Sequence, residues 1–318
     1  MKLISFIVPV FNEENNIPNF VSALREMMKK ASYEYELIFI DDGSSDRSFE
    51  EIRGLSQTDS RIKALALSRN FGSHSAITAG LHCSQGDASV VLAADMQDPP
   101  PVVLQFIKKW EEGFEVVWGV RKKRADSKSK KFFSGLFYRL FRKWANSDYP
   151  LGGTGSFCLI DRKVRESVKE CRESNRVVFG LIAWAGFKQA EVGYDRPERQ
   201  FGLSKWSPGK MLKAAIDALT AYSYIPLRLS VYVGIFFLFI SISIIFYVFI
   251  DWFFHRNVQP GWPTLMISIY LLGGTQLLFL GVIGEYIWRI SQDVKGRPNF
   301  IVREQIGFTS EKCFETSP

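Results

Sequence analysis

Cysteine is scarce in this chain, and the cysteines present form no pattern. Cys83, Cys158, Cys171 and Cys313 are the only four in 318 residues. Their spacing matches no metal-binding cluster, and in a cytoplasmic domain they read as reduced thiols. A secretory leader is not expected, because residues 1–10 are too short for one and run straight into a strand pattern. No nucleic-acid motif accompanies the basic residues, which argues against a nucleic-acid partner. Charge is missing altogether from residues 231–250 and 261–284. Each run is long enough to cross a bilayer core of roughly 30 Å as a helix, and buried soluble helices are rarely this long and apolar.

Between these runs lie Asp251, His255 and Arg256, a connection short enough for a helical hairpin. Lys205, Lys210, Lys213 and Arg228 precede it, and Arg289, Lys295, Arg297 and Arg303 follow it. The positive-inside rule therefore predicts that both flanks, and with them both termini, are cytoplasmic. Net charge is +7. Residues 121–131 hold seven basic residues and one acid. In residues 132–144, Phe132, Phe133, Phe137, Phe141 and Trp144 interleave with Arg139, Arg142 and Lys143. This pattern fits a solvated helix packed on its own domain or, better in a tethered chain, a helix in the membrane interface. Residues 208–219 are a second such candidate. Gly273, Gly274, Gly281 and Gly284 offer close-packing faces, so a homo-oligomer is expected.

The N-terminal half alternates strand and helix. Apolar runs predict strands at 3–10, 36–40, 62–67, 89–92 and 116–119. Helical spacing predicts helices at 15–30 (Ile17, Phe20, Val21, Leu24, Met28), around Phe49, Ile52 and Leu55, at 74–83 and at 100–112. The fold class is therefore α/β, a mainly parallel sheet flanked by helices.

The first strand runs into Asn12-Glu13-Glu14, the second into Asp41-Asp42-Gly43-Ser44, and the fourth into Ala93-Ala94-Asp95-Met96-Gln97-Asp98-Pro99-Pro100. In open α/β sheets ligands bind at the carboxyl edge of the strands. Asp and Pro also serve plain turn chemistry, but three acidic clusters at one edge are hard to assign to three independent loops. Such acids suit hydrogen bonding to a base or ribose, with one carboxylate left for a divalent cation bridging to phosphates. Bare phosphate needs cations as well; Arg69 is one candidate, or else a surface salt bridge.

Val8-Pro9-Val10-Phe11-Asn12-Glu13-Glu14, Asp41 to Asp46, Ser68-Arg69-Asn70-Phe71-Gly72, Ala94 to Pro100 and Arg199-Gln200-Phe201-Gly202-Leu203-Ser204-Lys205-Trp206 together resemble the family 2 inverting glycosyltransferases. Within that family the chain is most similar to the polyprenyl-phosphate glycosyltransferases, over nearly its whole length. The resemblance implies a GT-A fold and transfer from a nucleotide sugar, by its hairpin a UDP-sugar, to undecaprenyl phosphate at a bacterial inner membrane. It implies Pro9, Phe11, Glu13, Asp41, Asp42, Ser44 and Arg69 around the donor. It places Asp95, with Gln97, near Mg2+ or Mn2+ and the diphosphate, and Arg199, Ser204 and Lys205 on phosphates; Asp95, Arg199 and Lys205 would carry catalysis. The implied organisation is a catalytic domain at 1–206, a juxtamembrane amphipathic segment at 207–228, two spans at 229–290 and a cytoplasmic tail at 291–318.

Two positions depart from the family. Ala93 stands where Asp-x-Asp usually begins, and Ser156 stands where Gly-Asp-Phe usually carries an acid. Magnesium needs only one or two carboxylates plus phosphates and water. A phosphate acceptor needs little deprotonation, its second pKa being about 6 by analogy with phosphorylated side chains. An alcohol acceptor would need a strong base. The pattern therefore fits a lipid phosphate, with Asp148 and Asp161 as nearby acids; Asp161 could instead cap a helix. The alternative is a weakened enzyme kept as a nucleotide-sugar-binding or scaffolding protein. A transporter fits worse, since two helices per chain give little pathway.

Overall fold

The computed structural model describes residues 2–122, residues 154–196 apart from 172, 174 and 175, scattered helical positions between 232 and 254, and residues 261–308. They fall in two compact units, Met1–Ser207 with Arg297–Pro318, and Pro208–Gly296.

The first unit is a sheet between helices. Its strands are β1 (Leu3–Val10), β2 (Glu34–Asp41), β3 (Ile62–Leu67), β4 (Ala88–Val91), β5 (Val116–Arg121), β6 (Thr154–Asp161), β7 (Gln189–Tyr194) and β8 (Val302–Ile306). Their order across the sheet is β7-β5-β6-β4-β1-β2-β3-β8. The helices are α1 (Ile17–Met28), α2 (Ser48–Thr58), α3 (Ser73–Cys83), α4 (Val103–Glu111, entered through a 3-10 turn at Pro100–Val102), α5 (Arg162–Glu170) and α6 (Val178–Trp184).

Side-chain alternation builds one core layer on each face. Ile4, Phe6, Val8 and Val10 of β1 pack with Phe20 and Leu24 of α1 and Phe106 of α4. Ile7 points to the other layer, with Ile77 and Leu81 of α3 and Val164 and Ile182 beyond. The period of two along each strand gives both faces an apolar surface. The apolar stripe expected on residues 15–30 is the buried face of α1, which starts two residues later, where Pro18 occupies the first turn.

The architecture is the α/β arrangement expected, with a correction at the margins. β1, β2, β3 and β4 are mutually parallel neighbours, but β6 runs antiparallel between β4 and β5. β8, part of the segment read as a tail, runs antiparallel on β3. Val302, Glu304 and Ile306 are half-buried while Arg303 and Gln305 are exposed, the pattern of an edge strand.

In the second unit, α7 (Trp262–Val294) is one continuous helix of 33 residues. Residues 271–294 are apolar enough to cross a membrane. The helix extends ten residues beyond the uncharged run that predicted it. The first expected span is described only at scattered positions, all helical. The possible interfacial segments at 132–144 and 208–219 lie outside the described residues.

Candidate functional site

Parallel pairing carries β1, β2 and β4 to a common carboxyl edge. Val10 lies opposite Asp41, and Ile7 opposite Val91. The loops that follow, at 11–16, 42–47 and 92–99, therefore leave the sheet side by side.

Backbone-to-side-chain bonds stitch the first two loops together. The Asn12 N–H donates to Ser44 Oγ at 2.9 Å, and Asn12 Oδ1 accepts from the Ser45 N–H at 2.8 Å. The Glu13 N–H donates to Ser48 Oγ at 2.8 Å, and Glu14 Oε2 accepts from the Arg47 N–H at 3.0 Å. Asn12 adopts a left-handed φ of 54°, which asparagine tolerates better than most residues. Gly43 is at φ +72°, and a Cβ there would lie 2.7 Å from the Arg69 carbonyl carbon. Only glycine lets the loop after β3 pack this closely.

The two adjacent carboxylates of β2 differ in what they hold. Asp42 accepts the Phe71 N–H at 2.7 Å on one oxygen and the Gly72 N–H at 2.9 Å on the other. It ties the loop after β3 to the end of β2. Asp41 accepts the Ser44 N–H on Oδ1 at 3.1 Å. Its Oδ2 is buried and has no hydrogen-bond partner among the described residues. Burial raises the pKa of both acids; bonds from Ser44 oppose this at Asp41, and bonds from Phe71 and Gly72 at Asp42. A buried, unfilled acceptor is costly unless a ligand or water supplies the donor.

Beyond β4 the chain turns tightly, with Met96 at φ 60°. A non-glycine residue there is uncommon and clusters at functional loops. Asp95 is 7% exposed, and its Oδ1 accepts the Gln97 N–H at 3.2 Å. Asp98 is fully enclosed; it accepts the Tyr194 hydroxyl at 2.8 Å on one oxygen and the Ala93 N–H at 3.3 Å on the other. Burial raises its pKa despite the Tyr194 bond. Arg196, just past β7, donates from Nη2 to Gln97 Oε1. The Nε atoms of Arg121 and Arg196 are buried without partners among the described residues. Their unfilled donors suit an anion.

For a divalent cation, Asp95 is the carboxylate that fits. Asp98 is engaged through both oxygens, and no group of three or more His, Cys, Asp or Glu residues converges among the described residues. The donor set is one carboxylate, since Gln97 Oε1 is taken by Arg196, and one carboxylate suits a hard cation that takes its remaining ligands from phosphates and water.

The structure brings Pro9, Phe11, Glu13, Asp41, Asp42, Ser44, Asp95 and Gln97 to the carboxyl edge. Glu13 also accepts from Asn16 Nδ2 within its own loop. Arg69 is exposed, and its guanidinium stacks 4.2 Å from the Phe71 ring centroid, so the salt-bridge alternative does not hold among the described residues. Of the two readings of Asp161 the helix cap holds and the substitute acid does not: it pairs with Ala88 at the amino end of β4, caps α5 through the Lys163 N–H at 2.8 Å, and accepts from Trp110 Nε1 at 2.7 Å. It lies at the opposite edge from Asp95 and serves as a helix cap. Ser156 lies on the β6 backbone. Asp148, Arg199, Ser204 and Lys205 lie outside the described residues. Sequence reasoning missed Asp98, Tyr194 and Arg196, although Asp98 stands in the quoted motif and Arg196 lies three residues before Arg199.

Residues 5–168 match the family described as glycosyl transferase family 2, and residues 225–290 match the one described as GtrB C-terminal hairpin. An uncharacterized glycosyltransferase, YkcC of Bacillus subtilis, is 43% identical over 98% of this chain and 96% of its own length. A prophage-derived bactoprenol glucosyl transferase of Shigella flexneri is 38% identical over 95% and 97%. A prophage bactoprenol glucosyl transferase homolog of Escherichia coli is 37% identical over 94% and 98%.

Proposed function

The chain belongs to glycosyl transferase family 2, and on that premise we propose that it transfers a sugar from UDP to undecaprenyl phosphate, inverting the anomeric centre, at the cytoplasmic face of a bacterial inner membrane. It is a glycosyltransferase; the donor, the acceptor and the membrane face are the reading advanced here. The observation that carries it is the joining of Asp41 and Asp95 at one carboxyl edge, in a chain whose near-full-length relatives include bactoprenol glucosyl transferases.

In this reading the nucleoside sits over Pro9 and Phe11, and Asp41 supplies the open acceptor for a base N–H. Glu13 and Ser44 hold the loop walls, and Asp42 keeps the loop after β3, with Arg69, against them. The diphosphate lies toward Asp95 and Gln97. Mg2+ or Mn2+, when bound there, would neutralise charge developing on the departing diphosphate. Arg196, with Arg199, Ser204 and Lys205 from the segment that follows, would hold phosphate oxygens of donor and lipid. A phosphate oxygen of the lipid attacks the anomeric carbon as the bond to the UDP β-phosphate oxygen breaks, and the electron pair leaves on UDP. The attacking oxygen is already anionic near neutral pH, so Ser156 in place of an acid costs the reaction no base.

The hairpin, with its exposed Leu265, Leu277, Leu280 and Ile287, would anchor the enzyme in the bilayer, both termini cytoplasmic. Gly273, Gly274, Gly281 and Gly284 would pack against further copies. The test is purified full-length protein with a panel of nucleotide sugars and undecaprenyl phosphate, with and without Mg2+ or Mn2+. Mass analysis of the lipid should show one added hexose from a UDP donor. Nucleotide binding with no lipid product from any donor would sink the reading and favour the scaffolding alternative.

A further inference from the structure

Asp41 has an oxygen at the carboxyl edge without a partner among the described residues, and a cation whose charge acts on it comes from the far end of the chain. β8 starts just after the residues that follow α7, and it adds to β3 on the side away from β2. Val302 pairs with Leu67 and Glu304 with Ala66, and the register shifts between them, so Arg303 is the extra residue of a β-bulge. Core packing agrees: Val302 joins one core layer and Ile306 the other. An unbroken strand of period two would send both to the same face. Bulges redirect a side chain, and they collect beside functional sites.

The bulge lies level with Asp41 in the sheet, with β3 between them. Asp41 pairs with Ala66, and Ala66 with Glu304. Two contacts fix the strand on either side of Arg303. The Ser68 N–H donates to the Ile301 carbonyl at 2.9 Å, and Glu304 meets Arg53 of α2 at 2.7 Å. Arg303 itself is exposed, and it forms no ion pair among the described residues. Its charge reaches Asp41, where it counters the larger effect of burial on the carboxyl. The bland role of such a residue is to charge an edge strand against aggregation. That role would be met by either exposed position of β8 and needs no bulge.

An acceptor and a cation level with one another at one sheet edge, with a single strand between them, suit a base edge that pairs an N–H with a carbonyl. Uracil presents an imide N–H between two carbonyl oxygens: a donor flanked by acceptors. A carboxylate takes the N–H, and a guanidinium donates to a carbonyl beside it. Cytosine replaces the N–H by an acceptor and one carbonyl by an amino group, which Asp41 and Arg303 would meet in the wrong sense. Guanine also presents an N–H beside a carbonyl, so this pair of residues discriminates against cytosine.

We propose that Arg303, brought to the sheet edge by the strand that follows the hairpin, reads the donor base together with Asp41 and sets the preference for uracil over cytosine. The proposal rests on the nucleotide-sugar reading above and adds a residue and a specificity to it. The arrangement makes base recognition depend on the chain after the membrane hairpin being docked on the sheet.

The test measures binding of UDP, CDP and GDP to the full-length protein in detergent, by calorimetry, for wild type, Arg303→Ala, Arg303→Lys and Gln305→Ala. Wild type should prefer UDP to CDP. Arg303→Ala should lose about tenfold in UDP affinity, the scale of one hydrogen bond from a charged group, and less than about threefold for CDP. Arg303→Lys should recover part of the loss, and Gln305→Ala should match wild type. Melting temperatures of all variants should agree, because both side chains are exposed. If wild type binds UDP and Arg303→Ala binds it equally well, or loses UDP and CDP to the same extent, the base-reading role is wrong while the nucleotide-sugar reading stands. If wild type binds no nucleoside diphosphate, both fall.

Discussion

The two halves of the candidate site are built differently. On the β1–β2–β3 side, loops lock to one another through Ser44, Ser45, Ser48, Glu14 and Asp42, and one buried oxygen of Asp41 has no partner among the described residues. On the β4–β7 side, Asp98 and Tyr194 form a closed pair, while the buried Nε atoms of Arg121 and Arg196 have no partner among the described residues. In the proposed function the first half is a preformed seat for a rigid, flat base, which would enter with little reorganisation. The second is charged and incomplete until an anion arrives. Catalysis should therefore be far more sensitive on the second side, and nucleotide affinity on the first.

The largest effect is expected at Asp95. Asp95→Asn keeps an acceptor for the Gln97 N–H but removes the carboxylate suited to a cation. Turnover should fall about 10²–10³-fold, the scale of losing an electrostatic group that acts in the transition state. UDP affinity without metal should hold within about threefold, as judged by a single hydrogen bond's worth. Lipid-product formation checks the first, calorimetry the second. Retained turnover would move the cation elsewhere and erase the contrast between the halves.

Tyr194→Phe tests the closed pair. It deletes the hydroxyl that donates to Asp98 and leaves an enclosed carboxylate short of a partner, at a cost of about 1–3 kcal/mol. The Phe157 edge-to-face contact of the ring remains. The sign with pH follows from burial, which raises the Asp98 pKa. The Tyr194 bond favours the ionised form, so the penalty is full where Asp98 is ionised in the fold. It shrinks as pH falls through that raised pKa and the carboxyl protonates. Thermal melting across pH reads this; a penalty that does not change with pH would mean Asp98 is not the group affected.

How much of this was legible in the sequence depends on how local each signal is. β1, β2 and β3 announce themselves because their apolar runs are continuous and buried on both faces, and α1 because Ile17, Phe20, Val21, Leu24 and Met28 repeat at helical spacing. The edge shared by Asp41 and Asp95 follows from strands alternating with helices. β8 was invisible because Val-Arg-Glu-Gln-Ile carries three polar residues and its partner lies more than 230 residues earlier. Asp42 reads as a ligand-facing acid, yet both its oxygens hold backbone N–H groups about thirty residues on. No local pattern encodes that choice between two adjacent aspartates. Asp161 shows the converse: strand β6 runs antiparallel, so an acid at its end lands at the wrong edge.

Asp41→Asn should separate binding from stability on the preformed side. Losing the negative charge should weaken UDP affinity about tenfold, by the arithmetic of one charged hydrogen bond. Stability should hold or rise. Burial raises the pKa of Asp41 in the fold, so the folded chain binds that proton more tightly than the unfolded chain does. Wild type therefore loses stability as pH climbs from the ordinary carboxylate range through the raised value. The asparagine variant escapes this and should melt at or above wild type at neutral pH. A lower melting temperature with unchanged UDP affinity would make Asp41 a scaffold residue like Asp42.

The smallest effect sharpens the comparison most. Arg53→Ala removes the partner of Glu304, but both side chains are more than one third exposed, and such pairs contribute about 0–1 kcal/mol. β8 is also held by its ladder with β3 and by the Ser68 bond to Ile301. The preformed side is therefore over-determined, and removing one strut should shift UDP affinity less than about threefold, under 1 kcal/mol. High salt should erase even that difference. A tenfold loss in Arg53→Ala, equal to that expected for Arg303→Ala, would mean that a single exposed pair seats the strand. The nucleotide half would then be as unfinished without its ligand as the phosphate half.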